Sequence, residues 1–137
     1  MTFIKDELRK VLIVDDQSDI RRLVRLVMPG TFQILEAASA DGALEIIQRE
    51  QIDILILDVM MPGTMDGYEL CKKIKQDKLL SEIFVVMVTA RGQDEDRNRG
   101  KEVGANEYFV KPFSPLALIR LIEKVPIRRL LNRGIEV

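Results

Sequence analysis

Five polar side chains in this sequence stand where an apolar run stops. Asp15 and Asp16 follow Val11-Leu12-Ile13-Val14, Asp58 follows Ile54-Leu55-Ile56-Leu57, Thr89 follows Val85-Val86-Met87-Val88, and Lys111 follows Tyr108-Phe109-Val110. Gathered in one place they would supply three carboxylates, a hydroxyl and an ammonium. Clustered carboxylates repel, which raises the pKa of at least one of them. A divalent cation relieves that repulsion. Mg²⁺, or another divalent cation such as Mn²⁺, suits hard oxygen donors, keeps waters, and commonly takes one or two carboxylates plus a phosphate oxygen. Asp58 could then attack an activated phosphoryl group as a nucleophile and become an aspartyl phosphate. Such a transfer spreads charge over equatorial oxygens, so positioning, the metal and cationic groups carry most of the catalysis. Lys111 offers a compact positive charge for one oxygen, and Thr89 a hydroxyl donor for another.

What the chain lacks narrows the chemistry further. It has no histidine, which removes histidine-based triads, most zinc sites and histidine general bases. The chain cannot itself be a histidine phosphodonor. Cys71 is the single cysteine, so no internal disulfide forms, and a small apolar residue packed on a helix is its simplest reading.

The elements that must position these residues follow from the hydrophobic pattern. The runs at 11–14, 83–88 and, after an opening acid, 53–57 and 107–110 are apolar, as in strands buried on both faces of a parallel sheet. A weaker fifth strand is expected near Gln33 to Ala37. Between them the period becomes helical. Residues 17–28 place Ile20, Leu23, Val24, Val27 and Met28 on one face, and Pro29-Gly30 stops that helix. Further helices are expected at 40–50, at 68–76, and from Ser114-Pro115, an N-cap followed by proline in the first turn, to about Val125. Alternating strands and helices imply right-handed βαβ units, hence an α/β fold with helices on both faces of a parallel sheet. In such a sheet the carboxyl ends of the strands share one edge, so the five polar residues should converge there. One segment reads oddly. Residues 94–103 offer only Val103 as a clear apolar group and carry Gly100 inside, so a helix there is expected to be short, frayed or mobile.

The bulk properties fit this picture. The chain has 137 residues, 47% hydrophobic and 31% charged, with 21 basic and 22 acidic groups and a formal net charge of −1. That is one ordinary globular domain with no global basic field for nucleic acid and no polybasic membrane anchor. No run is long enough to span a bilayer, and Met1 to Lys10 is not a signal peptide. A cytoplasmic location is the expectation.

Several short motifs, in this order, make the pattern specific: Asp15-Asp16, Leu57-Asp58-Val59-Met60-Met61-Pro62, Asp66-Gly67, Thr89-Ala90, Gly104-Ala105 and Lys111-Pro112-Phe113. From about Lys10 to Val125 the chain resembles the receiver domain of two-component response regulators. The resemblance divides the chain into an N-terminal extension (1–9), a receiver domain (10–125) and a C-terminal tail (126–137). It implies a flavodoxin-like, doubly wound five-stranded parallel sheet of order 2-1-3-4-5. It further implies Asp58 as phosphoacceptor, with Asp16 and Asp58 binding Mg²⁺ directly, Asp15 mostly through water, and the Met60 carbonyl as a further ligand. Lys111 would pair with the phosphoryl group, and the Lys111–Pro112 bond is expected to be cis. Thr89 and Tyr108 would form a switch: Thr89 moves towards the phosphoryl oxygens and Tyr108 turns into the vacated space. The implied donor is a histidine kinase or histidine phosphotransfer protein, with a downstream effector that the sequence does not identify. The domain would transfer a phosphoryl group to itself and slowly hydrolyse it, rather than act as an enzyme on an external substrate. Two features depart from the family pattern. The turn Pro62-Gly63-Thr64-Met65-Asp66-Gly67 is one residue longer than usual, and the fourth helix is unusually polar. Met60 and Arg91 stand at positions that tune phosphoryl lifetime in the family.

Taken singly, each residue has a plainer reading. Asp15 and Asp16 could cap the following helix, Thr89 could be a strand-end hydroxyl, Lys111 a solvated lysine, and Tyr108 a core residue. Their conjunction at successive strand ends is what argues for a site. Other functions compete on specific grounds. An aspartyl phosphatase of the haloacid-dehalogenase type has two acids separated by one residue, whereas Asp15 and Asp16 are adjacent. A non-phosphorylated interaction module would not need Asp16, Asp58, Thr89 and Lys111 together, and a nucleotide-binding domain would show a glycine-rich loop after the first strand. Arg21, Arg22 and Arg25 read as a solvated helix face, with contact to a histidine-bearing partner as the alternative. The last helix carries Leu116, Leu118, Ile119, Leu121, Ile122 and Val125, more than a narrow stripe needs. Core packing is the default there, with a homodimer or the tail 127–131 as alternative cover. The twelve residues 126–137 are too few for a DNA-binding unit, so no direct nucleic-acid contact is expected.

Overall fold

The structure, a computed structural model, describes residues 8–128. Five parallel strands, β1 (Arg9–Val14), β2 (Phe32–Ala37), β3 (Ile54–Leu57), β4 (Phe84–Thr89) and β5 (Glu107–Val110), form one sheet in the order β2-β1-β3-β4-β5. The connections are α1 (Ser18–Val27), α2 (Ala40–Arg49), α3 (Gly67–Gln76), α4 (Asp94–Glu102) and, after β5, α5 (Pro115–Ile122). This is the doubly wound sheet that the alternating pattern predicts.

The period of two along the central strands builds two cores. Leu12, Val14, Leu55, Leu57, Val85 and Met87 face one side, where Ala43 and Ile47 of α2 and Leu70, Cys71 and Ile74 of α3 cover them. Val11, Ile13, Ile54, Ile56, Val86 and Val88 face the other, under Val24 of α1 and Leu118 and Ile122 of α5. Both faces are covered, which is why these strands read as unbroken apolar runs.

The structure adds detail at four places. On α1 only Val24 is buried. Leu23 is 43% exposed and Leu26 76%, because the helix touches the sheet along a narrow line. Its arginine face is not merely solvated either: Arg21 and Arg25 both bond Glu36 of β2, at 3.1 and 2.8 Å, while Arg22 is exposed. The segment expected to be short, frayed or mobile forms a helix of nine residues, Asp94–Glu102. Acids in its first turn and Arg99 and Lys101 in its last complement the macrodipole. Gly100, which weakens it, is buried under the Tyr108 ring, where a Cβ would come 2.8 Å from Cδ2. Packing contacts also occur outside 10–125. Arg9 opens β1, and Arg128 is buried, with its amide on Asp53 Oδ1 and its guanidinium on the Ile52 and Leu79 carbonyls, each at 2.6 Å. The covering role read for Leu130 and Leu131 lies outside the described residues.

Candidate phosphoacceptor site

The parallel register carries the chain one residue beyond each strand before it turns. The Asp58 amide donates to the Val14 carbonyl (2.9 Å), and the Asp15 amide to that of Ala37 (3.2 Å). Both side chains are thereby fixed at the carboxyl edge, and both are buried. Asp16, the next residue, is exposed. One carboxylate oxygen from each of Asp15, Asp16 and Asp58 lies within 4.8 Å of the others. Three hard oxygen donors at that separation fit a divalent cation.

Lys111 reaches into the same cluster. Its Nζ donates to Asp15 Oδ2 at 2.9 Å and lies 3.5 Å from Asp58 Oδ2. The end of β5 delivers it there, since the Lys111 amide donates to the Thr89 carbonyl at 2.8 Å. The remaining oxygens are held from below: the Gln17 amide donates to Asp15 Oδ1 (2.9 Å) and the Met60 amide to Asp58 Oδ1 (3.2 Å). Burial first, then the charge of Asp15, raises the Asp58 pKa above its ordinary value, against the pull of Lys111 and the Met60 amide. Burial draws the Lys111 pKa down, but the bond to Asp15 and the charges of Asp58 and Asp15 outweigh it, and the net direction is up. The cluster is thus a strained set of acids held together by one internal cation.

Thr89 is fully buried at the end of β4, and its Oγ1 accepts from the Arg91 amide at 3.3 Å. Met60 has its side chain half exposed. The Lys111–Pro112 peptide is cis. Tyr108 points its ring over Gly100, and its hydroxyl donates to the Arg91 carbonyl at 2.8 Å. The structure therefore gathers Asp15, Asp16, Asp58 and Lys111 in direct reach, with Thr89 at the end of β4 and Tyr108 within β5, opposite Met87.

Two positioning residues had weaker signals. Arg21 donates to the Asp15 carbonyl at 2.7 Å, which its place in an arginine-rich helix does not disclose. Gly67 begins α3 against the acceptor loop. A Cβ there would collide with the Asp58 carbonyl and come 2.7 Å from Val59 Cα. The Asp66-Gly67 pair was the visible trace of this contact. The longer turn before it is taken up at Gly63, at φ 116°, a conformation that suits glycine.

Among the described residues no helix is long and apolar enough to cross a membrane. The family model described as "Response regulator receiver domain" matches residues 11–123. Among curated relatives, the chain is 40% identical to the phosphate regulon transcriptional regulatory protein PhoB of Escherichia coli over 129 residues, covering 93% of this chain and 56% of that protein. It is 44% identical to the probable transcriptional regulator ycf27 of Guillardia theta over 118 residues, 85% of this chain and 44% of the relative. The chain thus spans about half the length of these curated relatives. A putative response regulator from Chloroflexus aurantiacus superposes with a TM-score of 0.79 at 38% identity, covering 85% of this chain and 95% of that one. The Vibrio cholerae chemotaxis protein CheY4 does so with 0.78 at 33% identity, covering 86% and 98%.

Proposed function

Because the chain belongs to the response regulator receiver domain family, we propose that it accepts a phosphoryl group on Asp58 from a phosphohistidine of a histidine kinase or phosphotransfer protein. The observation that carries this reading is the Asp15–Lys111–Asp58 cluster. It holds a buried carboxylate of raised pKa beside a cation, with a second and a third acid in reach. An Asp58 oxygen attacks phosphorus, the P–N bond breaks, and its electron pair leaves with the imidazole. Lys111, now on Asp15, is placed to follow the new charge and bond a phosphoryl oxygen. Asp15, Asp16, Asp58 and the Met60 carbonyl would hold Mg²⁺, which would supply charge neutralisation for the transfer. Thr89 donates its hydroxyl to a phosphoryl oxygen, which frees its hold on the Arg91 amide and biases the position of Tyr108. The added charge of about −1.5 to −2 is thereby read out as a change in the surface of α4, β5 and α5, for an effector. The chain performs this transfer on itself and does not turn over an external substrate.

Intact mass after incubation with Mg²⁺ and acetyl phosphate tests the reading. Wild type should gain one phosphoryl group, and Asp58→Asn, or wild type in chelator, should not. If wild type gains nothing from acetyl phosphate or from a phosphorylated histidine protein, the acceptor reading falls and a non-phosphorylated interaction module takes its place.

A further inference from the structure

Tyr108 is held by more than its own strand. Its hydroxyl stands 3.2 Å from that of Tyr68, which is fully buried as the second residue of α3. The Tyr68 hydroxyl donates to the Asp96 carbonyl of α4 at 3.0 Å, and the Tyr108 hydroxyl donates to the Arg91 carbonyl at 2.8 Å. Each hydroxyl has one proton, so the bond between them forms in exchange with one of these two: Tyr108 donates to Tyr68 while Tyr68 stays on Asp96, or Tyr68 donates to Tyr108 while Tyr108 stays on Arg91. Beneath the ring, the side-chain-free surface of Gly100 leaves no room for a Cβ. Above each ring sits a guanidinium: Arg97 at 5.5 Å from the Tyr108 centroid and Arg99 at 4.3 Å from that of Tyr68. Burial and the Tyr68 hydroxyl both raise the Tyr108 pKa, so both favour the neutral, hydrogen-bonding phenol. Tyr68 is also tied to the acceptor loop, because its neighbour Gly67 donates to the Val59 carbonyl at 3.0 Å.

We propose that Tyr68 is a positioning residue for the switch: its hydroxyl, braced on Asp96, and the bare face of Gly100 form a seat that holds Tyr108 inward and joins the acceptor loop to α4. This rests on the proposed role of Tyr108 and extends it to residues on two further helices. A bias toward the inward ring and a bias toward the phosphorylated site reinforce each other, because each favours the same member of one equilibrium.

The sequence makes the test clean. Tyr68 and Tyr108 are the two tyrosines, and there is no tryptophan. Full-length protein labelled with 3-fluorotyrosine gives two ¹⁹F resonances, assigned with Tyr68→Phe and Tyr108→Phe. In Tyr68→Phe the Tyr108 resonance should move towards the solvent-exposed position, with the inward-to-outward ratio falling two- to tenfold, the range of one hydrogen bond. The beryllofluoride concentration that half-saturates the protein with Mg²⁺ should rise by up to the same factor. Gly100→Ala, whose Cβ would meet Tyr108 Cδ2 at 2.8 Å, should displace the Tyr108 resonance in the same direction. A Tyr108 resonance unmoved in both variants overturns the proposal. The intact-mass assay separates this outcome from failure of the receiver reading. Phosphorylation of Asp58 with an unmoved resonance sinks only the seat, whereas a displaced resonance in a protein that never gains a phosphoryl group sinks only the receiver.

Discussion

Asp58 is costly to keep ionised in the folded protein. Burial and the neighbouring Asp15 push its pKa above the ordinary 3.8. A raised carboxylate contributes stability that is full below the ordinary value and lost as pH rises through the folded one. Asp58→Asn carries no charge, so in chelator it should be more stable than wild type by about 1–2 kcal/mol at neutral pH. The gap should narrow as pH falls through the raised folded value and be gone below 3.8, which urea titrations across pH would show. A constant gap at every pH would contradict the electrostatic account. Lys111 is shifted in the same direction, but from an ordinary value of 10.5, so its window lies in alkali. Its raised pKa means that its contribution holds at neutral pH and fades only as alkaline pH passes its folded value. Lys111→Met leaves Asp15 and Asp58 without their shared cation and should cost about 1–3 kcal/mol in chelator. Millimolar Mg²⁺ should recover part of that loss. At this scale the sequence was most legible, because strand-end placement names Asp15, Asp16, Asp58 and Lys111 without a structure. It was least legible for Arg21, since a guanidinium on a backbone carbonyl leaves no mark in a residue pattern.

At the scale of the element, α3 and α4 differ in what holds them. α3 has a reciprocal cap, the Glu69 amide on Asp66 Oδ1 at 2.9 Å and the Asp66 amide on Glu69 Oε1 at 3.3 Å, and buries one apolar face. Asp66→Ala should therefore cost about 1 kcal/mol, measurable as a lower midpoint in chemical denaturation. α4 buries only Gly100, so its backbone bonds are largely open to water. Its amide protons should exchange faster than those of β1 and β3, as expected of a segment with few apolar contacts. Protection equal to those strands would show that the tyrosine seat and the terminal charges suffice to lock it. The pattern alone made α4 look like a poor helix because its main partner is an aromatic ring from β5. Periodicity reports what a helix buries of its own, and says nothing of what another element lays upon it. On α1, where five apolar positions share one face, periodicity likewise does not tell that only Val24 is buried.

Across the whole molecule, the fold class was legible because burial on both faces leaves apolar runs that few other architectures require. The partners of Arg128, in the segment read as a C-terminal tail, were not legible in the sequence. Its buried guanidinium and amide meet Asp53 and two carbonyls, and Lys10 donates its amide to the same carboxylate at 2.7 Å. Arg128→Ala should destabilise by about 2–4 kcal/mol, read as a fall in Tm, while leaving acetyl-phosphate labelling of Asp58 intact. Asp53 and Asp58 flank the same four-residue strand, about 16 Å apart at the rise of a parallel strand. That spacing has a mechanical meaning. Tension applied to the chain at Arg128 is delivered to the amino ends of β1 and β3, where it loads ladder bonds in shear. The acid cluster stands at the far end of the same lever and feels little of it. A surface tether, a bulky label or a cargo attached on that side could thus be pulled upon without disturbing the reaction.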